Sequence, residues 1–302
     1  MGHNDPLVYI PATDGFELAA TIDAPIQDKN HSVIVINSAT AVPRQFYKTY
    51  ARHLSQTGYT VITYDYRGIG GSRPKSLKGF VARMRDWAEL DMAGVIEWVN
   101  AQYQPQHLFV IGHSIGGQGM GLLNNHNKVT AMVTLSAQSG YWALQPGAEK
   151  YRVALFMYFV FPLLANAFGY FPWSRVASGE DLPKGVALEW ARWCRLSDYF
   201  LGDPTLDSAQ NFAHFSAPIL AYSFSDDVWG SERSVNAMMA NYTGASVERR
   251  HKTPQAAHMQ RIGHVGFFSP KARALWQEVD EWLCRQGAAP RVEESGVVHG
   301  NI

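Results

Sequence analysis

The chain has 302 residues, enough to bury a large core as one α/β domain or as a domain carrying an insertion. Its 26 basic and 26 acidic residues cancel, and the basic ones form no run, so nothing in the charge pattern marks a nucleic-acid partner. The 2 cysteines, Cys194 and Cys284, lie far apart without metal-ligand spacing and read as buried free thiols.

The segment Met1-Gly-His-Asn-Asp-Pro6 has neither a basic start nor an apolar run, so no signal peptide is expected and the chain is read as cytoplasmic. Two short alternating stretches follow, residues 7–10 and 16–22, joined through Thr13-Asp14-Gly15; Asp-Gly between such runs predicts a hairpin. Ser32-Val-Ile-Val-Ile-Asn37 is a continuous β-branched run, which suits a strand covered on both faces. Pro43 opens a predicted helix through Gln56, with Phe46, Tyr50 and Leu54 on one face. Residues 59–65 form another buried strand and run into the turn Tyr66-Arg-Gly-Ile-Gly-Gly-Ser72. Asp86 is placed at the cap of the next helix, where Trp87, Leu90, Gly94, Val95 and Trp98 recur at helical spacing. Strands are predicted at 108–111 and 129–135.

Strand and helix therefore alternate from 32 to 135, the pattern of a doubly wound parallel sheet with crossover helices. The alternation stops over residues 139–210, which are aromatic, helical in period and broken by prolines. It resumes with a strand at 218–224, a weaker one at 247–251, and an amphipathic helix over 269–283 with Ser269 at its cap and Pro270 at its first position. The expected organisation is a core of 1–138 and 211–287, a helical, aromatic-rich lid over 139–210, and a flexible tail over 288–302.

The strand at 108–111 leads into Gly112-His113-Ser114-Ile115-Gly116. A Gly-x-Ser-x-Gly stretch between a strand and a helix reads as a nucleophile elbow, a strained turn that lifts the serine hydroxyl over the sheet. The flanking glycines fit a place where backbone packs on backbone with no room for Cβ atoms. Gly117, Gly119 and Gly121 would weaken the following helix in isolation, and make sense if it lies very close to the sheet.

With these elements in order, the chain resembles the α/β-hydrolase superfamily over nearly its whole length. Gly68-Ile-Gly-Gly-Ser72 after Tyr64-Asp-Tyr-Arg67 is similar to the family's D-x-R-G-x-G-x-S turn. Gly263-His-Val-Gly-Phe-Phe268 is similar to its histidine loop, and Ser225-Asp-Asp-Val228 follows a strand where the family places its acid. Ile36-Asn-Ser-Ala-Thr40 and the Tyr-Asp-Tyr-Arg-Gly-Ile-Gly run resemble bacterial predicted hydrolases related to the serine-aminopeptidase and monoacylglycerol-lipase-like branch. The resemblance implies a mostly parallel sheet of eight strands with an inserted helical lid.

It also implies a set of roles. A serine hydroxyl needs a base to take its proton, and a carboxylate to orient that base. The family order Ser, Asp, His selects Ser114, Asp226 and His264, with Asp226 chosen by the family's Asp-x-Val pattern and Asp227 as its rival. His258 and His251 are the nearest rivals of His264, while His113 is read as structural. The Ile115 N–H is the first expected oxyanion donor. The family's His-Gly pair is missing from the facing loop, so the second is assigned by alignment to the Ala39 N–H, with Thr40 the alternative. Asn37 is expected to brace that loop.

A serine at the elbow, rather than an aspartate, argues against haloalkane and epoxide chemistry. It points to a carboxylic ester or thioester, and an aromatic lid roofing Ser114 points to a hydrophobic acyl or alcohol part, the other reading being that these aromatics only fill the lid's own core. Amide, peptide or carbon–carbon bond cleavage on the same triad, or a non-catalytic binding protein, are the alternative readings. No cofactor or metal is called for. The uncharged stretch 153–173 is about as long as a membrane span, but Pro162 would break it and it sits between catalytic elements. It is read as lid helices ending near Pro162 and Pro172, with no integral span. A second lid segment over 186–195 looks amphipathic. The sequence leaves open peripheral contact of the lid with lipid and the oligomeric state, a homodimer included.

Overall fold

A computed structural model describes residues 7–27 and 31–288. The segment 1–6 and, apart from Ala288, the tail expected over 288–302 lie outside the described residues.

The described residues form ten strands: β1 (Leu7–Pro11), β2 (Glu17–Asp23), β3 (Ser32–Asn37), β4 (Thr60–Tyr64), β5 (His107–His113), β6 (Ala131–Leu135), β7 (Tyr170–Phe171), β8 (Leu182–Pro183), β9 (Ile219–Phe224) and β10 (Val247–Lys252). Eight of them build one sheet in the order β1-β2-β4-β3-β5-β6-β9-β10. β1 and β2 form the predicted hairpin, which joins the sheet antiparallel to β4; every pairing from β4 to β10 is parallel.

The apolar runs at 33–36 and 108–111 do what a doubly covered sheet requires. Val33, Val35, Leu108 and Val110 point into one core, and Ile34, Ile36, Phe109 and Ile111 into the other. This is the two-residue period of a strand with both faces buried. The first core is shared with α2 (Ala93–Tyr103) and the insertion, the second with α1 (Lys48–Gln56) and α7 (Arg273–Ala288).

Three local expectations are corrected. The helix predicted from Pro43 opens with a 3₁₀ turn, Arg44–Tyr47, before α1. Its tighter winding turns Tyr47 rather than Phe46 toward the core, so Tyr47, Tyr50, Ala51 and Leu54 are buried and Phe46 is exposed. Asp86 is not the cap residue. It sits three residues inside the helix start and accepts the Arg83 N–H at 2.7 Å, so Arg83 holds the cap. Cys194 is buried as expected, but Cys284 faces outward from α7 and is exposed.

The polypeptide between β6 and β9 leaves the sheet. It carries α4 (Glu149–Phe168), the small ribbon β7–β8, α5 (Lys184–Trp193) and a series of 3₁₀ turns before α6 (Glu232–Met239) follows β9. Here Pro162 does not end the helix. A π turn over Phe156–Val160 stands directly before it, and this wider winding accommodates both the missing proline N–H and the ring that would press on the preceding turn. The helix closes instead at Gly169, whose left-handed φ of 80° caps its C-terminus.

One face of α4 belongs to the core: Val153, Met157, Phe161 and Ala165 are buried, and Phe161 stacks on Phe171 of the ribbon at 3.9 Å. A buried ion cluster also ties the insertion to the body. Arg85 Nε donates to Glu189 of α5 at 2.8 Å, and Arg85 Nη2 to Asp203 at 3.0 Å. Such a cluster fixes register, because removing one member strands the others without a counter-charge.

Candidate active site

β5 delivers Ser114 to the carboxyl end of the sheet, between the central strands β3 and β6. Ser114 has φ 53° and ψ −118°, a conformation that costs on the order of 1–3 kcal/mol and is held by its surroundings. Its N–H donates to the Leu135 carbonyl at 2.9 Å, and its carbonyl accepts the N–H groups of Gly117 and Gln118 at 3.0 Å, starting α3 (Ile115–Gln118). The flanking glycines are explained by contact. A Cβ on Gly112 would strike the Gly117 backbone, and one on Gly116 the Asn37 carbonyl. Of the three glycines beyond, Gly117 faces β6 and the residues after it, whereas Gly119 and Gly121 meet Ala88, Met92 and Phe212.

The histidine loop turns at Gly263, φ 56°, and is closed by the Gly266 N–H on the Ile262 carbonyl at 2.8 Å. His264 Nδ1 lies 2.9 Å from Oδ2 of Asp227, not of Asp226. The expectation for the acid is therefore corrected by one residue. The chain turns after β9 with the Asp227 N–H on the Phe224 carbonyl, which sends consecutive side chains in different directions. Asp226 goes to the loop backbone and accepts the Ile262 N–H at 2.9 Å. The chain reads Asp227-Val228 with no spacer between acid and valine, so the Asp-x-Val pattern falls in the wrong register.

Asp227 is 4% exposed and accepts the Trp229 N–H at 2.9 Å on its other oxygen. Burial alone would raise its pKa, but the charge and hydrogen bond of His264, together with the Gly230 N–H, hold it well below the usual carboxylate range. An ionised Asp227 can only accept, so His264 donates to it through Nδ1–H, which turns Nε2 away from the carboxylate. The rival histidines are elsewhere: His251 is on β10 against Ser223 and His258 is exposed.

His113, beside Ser114, has a definite place. Its Nε2 is 2.8 Å from the His264 carbonyl, which can only accept, so Nε2 is protonated and Nδ1 accepts from the Tyr47 hydroxyl at 2.9 Å. Burial, with the nearby His264, pushes the His113 pKa down to about 3, so it stays neutral. The Tyr47 oxygen in turn accepts the Ala39 N–H at 2.8 Å. A run of hydrogen bonds thus joins the loop after β3, the elbow and the histidine loop, with every donor and acceptor matched.

That run corrects the second oxyanion expectation. The Ala39 N–H is already spent on Tyr47. The next N–H, that of Thr40, has no acceptor among the described residues, and neither has the Ile115 N–H. Thr40 is followed by Ala41 at φ 63°, a left-handed turn that redirects the backbone. Asn37 braces the loop across the cleft rather than within it. Its Nδ2 donates to the Gly116 carbonyl at 3.2 Å and its Oδ1 accepts the Tyr64 hydroxyl at 2.7 Å.

Sequence reasoning missed Tyr47 and Trp229. Tyr47 was visible in principle from its three- and four-residue spacing to Tyr50 and Ala51; Trp229 carries no such signal. The insertion lies against these loops. The Glu180 N–H donates to the Ala41 carbonyl at 2.9 Å, Tyr199 reaches Gln118 Oε1 at 3.2 Å, and Trp190 of α5 lies 6.5 Å from the Trp229 ring. Among the described residues no group of three His, Cys, Asp or Glu side chains is arranged to hold a metal ion.

A family model described as the alpha/beta hydrolase fold matches residues 32–170. No curated protein matches the chain. Among solved structures, Est1E from Butyrivibrio proteoclasticus with ferulic acid bound is 15% identical and superposes with a TM-score of 0.62, covering 93% of this chain and 100% of that one. Esterase Pf2001 from Pyrococcus furiosus is 18% identical with a TM-score of 0.58, covering 93% and 90%. XC6422 from Xanthomonas campestris, a serine hydrolase described as lacking a lid, is 14% identical with a TM-score of 0.54, covering 96% and 99%. These are likenesses of fold.

Proposed function

We propose that this chain, which belongs to the α/β-hydrolase superfamily, hydrolyses carboxylic esters with a hydrophobic acyl or alcohol part, using Ser114, His264 and Asp227. The observation that carries the reading is the 2.9 Å bond from His264 Nδ1 to a buried, ionised Asp227, made on a loop whose His264 carbonyl is itself held by the residue next to Ser114.

Ser114 Oγ attacks the ester carbonyl carbon while His264 Nε2 takes its proton, and Asp227 stabilises the imidazolium that forms. The tetrahedral oxyanion is received by the N–H of Ile115 and, in place of Ala39, the N–H of Thr40. Such donors are worth about 10²–10³ in kcat each. Collapse expels the alcohol, which leaves with the proton from His264, and an acyl–Ser114 ester remains. Water then attacks that ester, giving its proton to His264, and collapse returns the carboxylic acid and free Ser114.

The insertion serves as the lid of this site. Trp190 of the insertion, facing Trp229 of the Asp227 loop at 6.5 Å, supports an apolar or aromatic substrate group, a reading in line with the aromatic acid bound to Est1E. A series of p-nitrophenyl esters tests it. The expected result is kcat/KM rising from acetate to medium-chain or arylalkyl esters, and lost in Ser114→Ala. A strict preference for acetate would remove the hydrophobic-substrate part. Failure to turn over any ester would remove the esterase itself.

A further inference from the structure

α4 has two apolar stripes. Val153, Met157, Phe161 and Ala165 recur every four residues and are buried. Tyr151, Leu155, Phe159 and Leu163 recur with the same interval, two residues out of step and hence roughly 200° around the helix, and are 65, 54, 65 and 68% exposed. A four-residue interval drifts slowly around a helix of 3.6 residues per turn, and the π turn at Phe156–Val160 takes up part of that drift. The outer stripe therefore stays on one side of a helix of 20 residues, about 30 Å long, with 22% of its apolar stretch buried. A second apolar face is not needed to pack α4 onto the domain, because the first face already does that.

Cations stand beside this stripe and at the far end of α4. The ammonium of Lys150 lies 5.0 Å over the Tyr151 ring, Arg195 lies 5.4 Å over Tyr158, and Arg175 lies 5.6 Å over Phe168. Arg152 stands over Phe156 at 6.0 Å, and the acid of the helix, Glu149, is paired with it at 2.6 Å. We propose that the outer face of α4 docks on a bilayer surface containing anionic lipids, with Leu155, Phe159 and Leu163 entering the acyl boundary and Lys150, Arg175 and Arg195 meeting headgroup phosphates. A helix with aromatic and leucine side chains on one face and basic groups beside them lies in the interface plane in this way. The same cations disfavour a second copy as the occupant, since pairing two such faces sets like charges against each other. Crossing the bilayer is disfavoured too, because it would strip Val153, Met157 and Phe161 from the core.

The proposal is independent of the esterase reading, and its test avoids turnover. Ser114→Ala protein of full length is sedimented with phosphatidylcholine vesicles made with and without phosphatidylserine. The expected result is co-sedimentation with the anionic vesicles, weakened by salt. Phe159→Gln/Leu163→Gln should lower the partition by at least about tenfold with an unchanged melting temperature, since both residues are exposed. Arg175→Glu/Lys150→Glu should remove the preference for phosphatidylserine. Equal partition of the glutamine variant and its parent, or no binding to either vesicle, overturns the proposal. So does a dimer in sedimentation velocity that the glutamine variant dissociates, which would assign the face to a second copy.

Discussion

At the elbow, Asn37, Tyr47, His113 and Asp227 are all buried and all hydrogen-bonded, and their partners belong to different loops. Along the outer side of α4, Leu155, Phe159 and Leu163 are exposed, large and without a hydrogen bond to make. The first region is fixed by donors and acceptors that must be matched because they are dry; the second is shaped only by the period of a helix. Mutations should therefore act very differently in the two places. At the elbow, one lost atom unpairs a buried group at a cost of about 1–3 kcal/mol, whereas on the outer face a whole side chain is removed at almost no cost to folding.

The largest effect separates the two adjacent aspartates. Asp227→Asn should lower kcat about 10⁴-fold by spoiling the tautomer of His264, while Asp226→Asn, which keeps an oxygen for the Ile262 N–H, should stay within about tenfold. Ester-hydrolysis kinetics on the two variants check this, and the reverse ranking would restore the assignment made from sequence. Next comes the contrast within α4. Met157→Ala on the inner stripe should cost about 2–5 kcal/mol, and Leu163→Ala on the outer stripe less than about 0.5 kcal/mol, by urea denaturation. Equal costs would mean that both faces are packed.

The third prediction concerns pH. His113 has its folded pKa pushed down from 6.5 to about 3, so the unfolded chain binds its proton first. The stability due to neutral His113 is full above about pH 6.5 and is lost as pH falls toward 3, at about 1.4 kcal/mol per pH unit. His113→Gln should show a slope shallower by one proton in that window; parallel slopes would place His113 in water. The smallest effect is that of Tyr47→Phe, which leaves His113 Nδ1 without a donor and the Ala39 N–H without an acceptor. A loss of about 1–3 kcal/mol is expected in thermal unfolding, with kcat reduced more than KM is changed.

How much of this was legible in the sequence follows the same division. The β-branched run 32–37, the apolar run 108–111, the hairpin at Asp14-Gly15 and the glycines around Ser114 each reflect a local constraint, and each falls where the sequence places it. The acid was missed because alternation of side-chain direction in a tight turn depends on one backbone dihedral, which neither Asp226 nor Asp227 encodes by itself. The Ala39 N–H was misassigned for a different reason: its acceptor, Tyr47, comes from the 3₁₀ turn that also reversed the roles of Phe46 and Tyr47. Pro162 was read as a helix end because the relief given by a π turn depends on the carbonyl positions of the preceding residues. The exposure of the outer stripe on α4 could not be told from burial, since an apolar residue every four positions looks the same on either face.

The central claim is that Ser114 is a nucleophile primed by His264 and Asp227. Reaction of the purified protein with a fluorophosphonate, followed by peptide mass mapping, addresses it directly. One stoichiometric adduct is expected on the peptide carrying Ser114, absent in Ser114→Ala and strongly slowed in Asp227→Asn but not in Asp226→Asn. No adduct on the native protein, or an adduct of equal yield in Ser114→Ala, would contradict it.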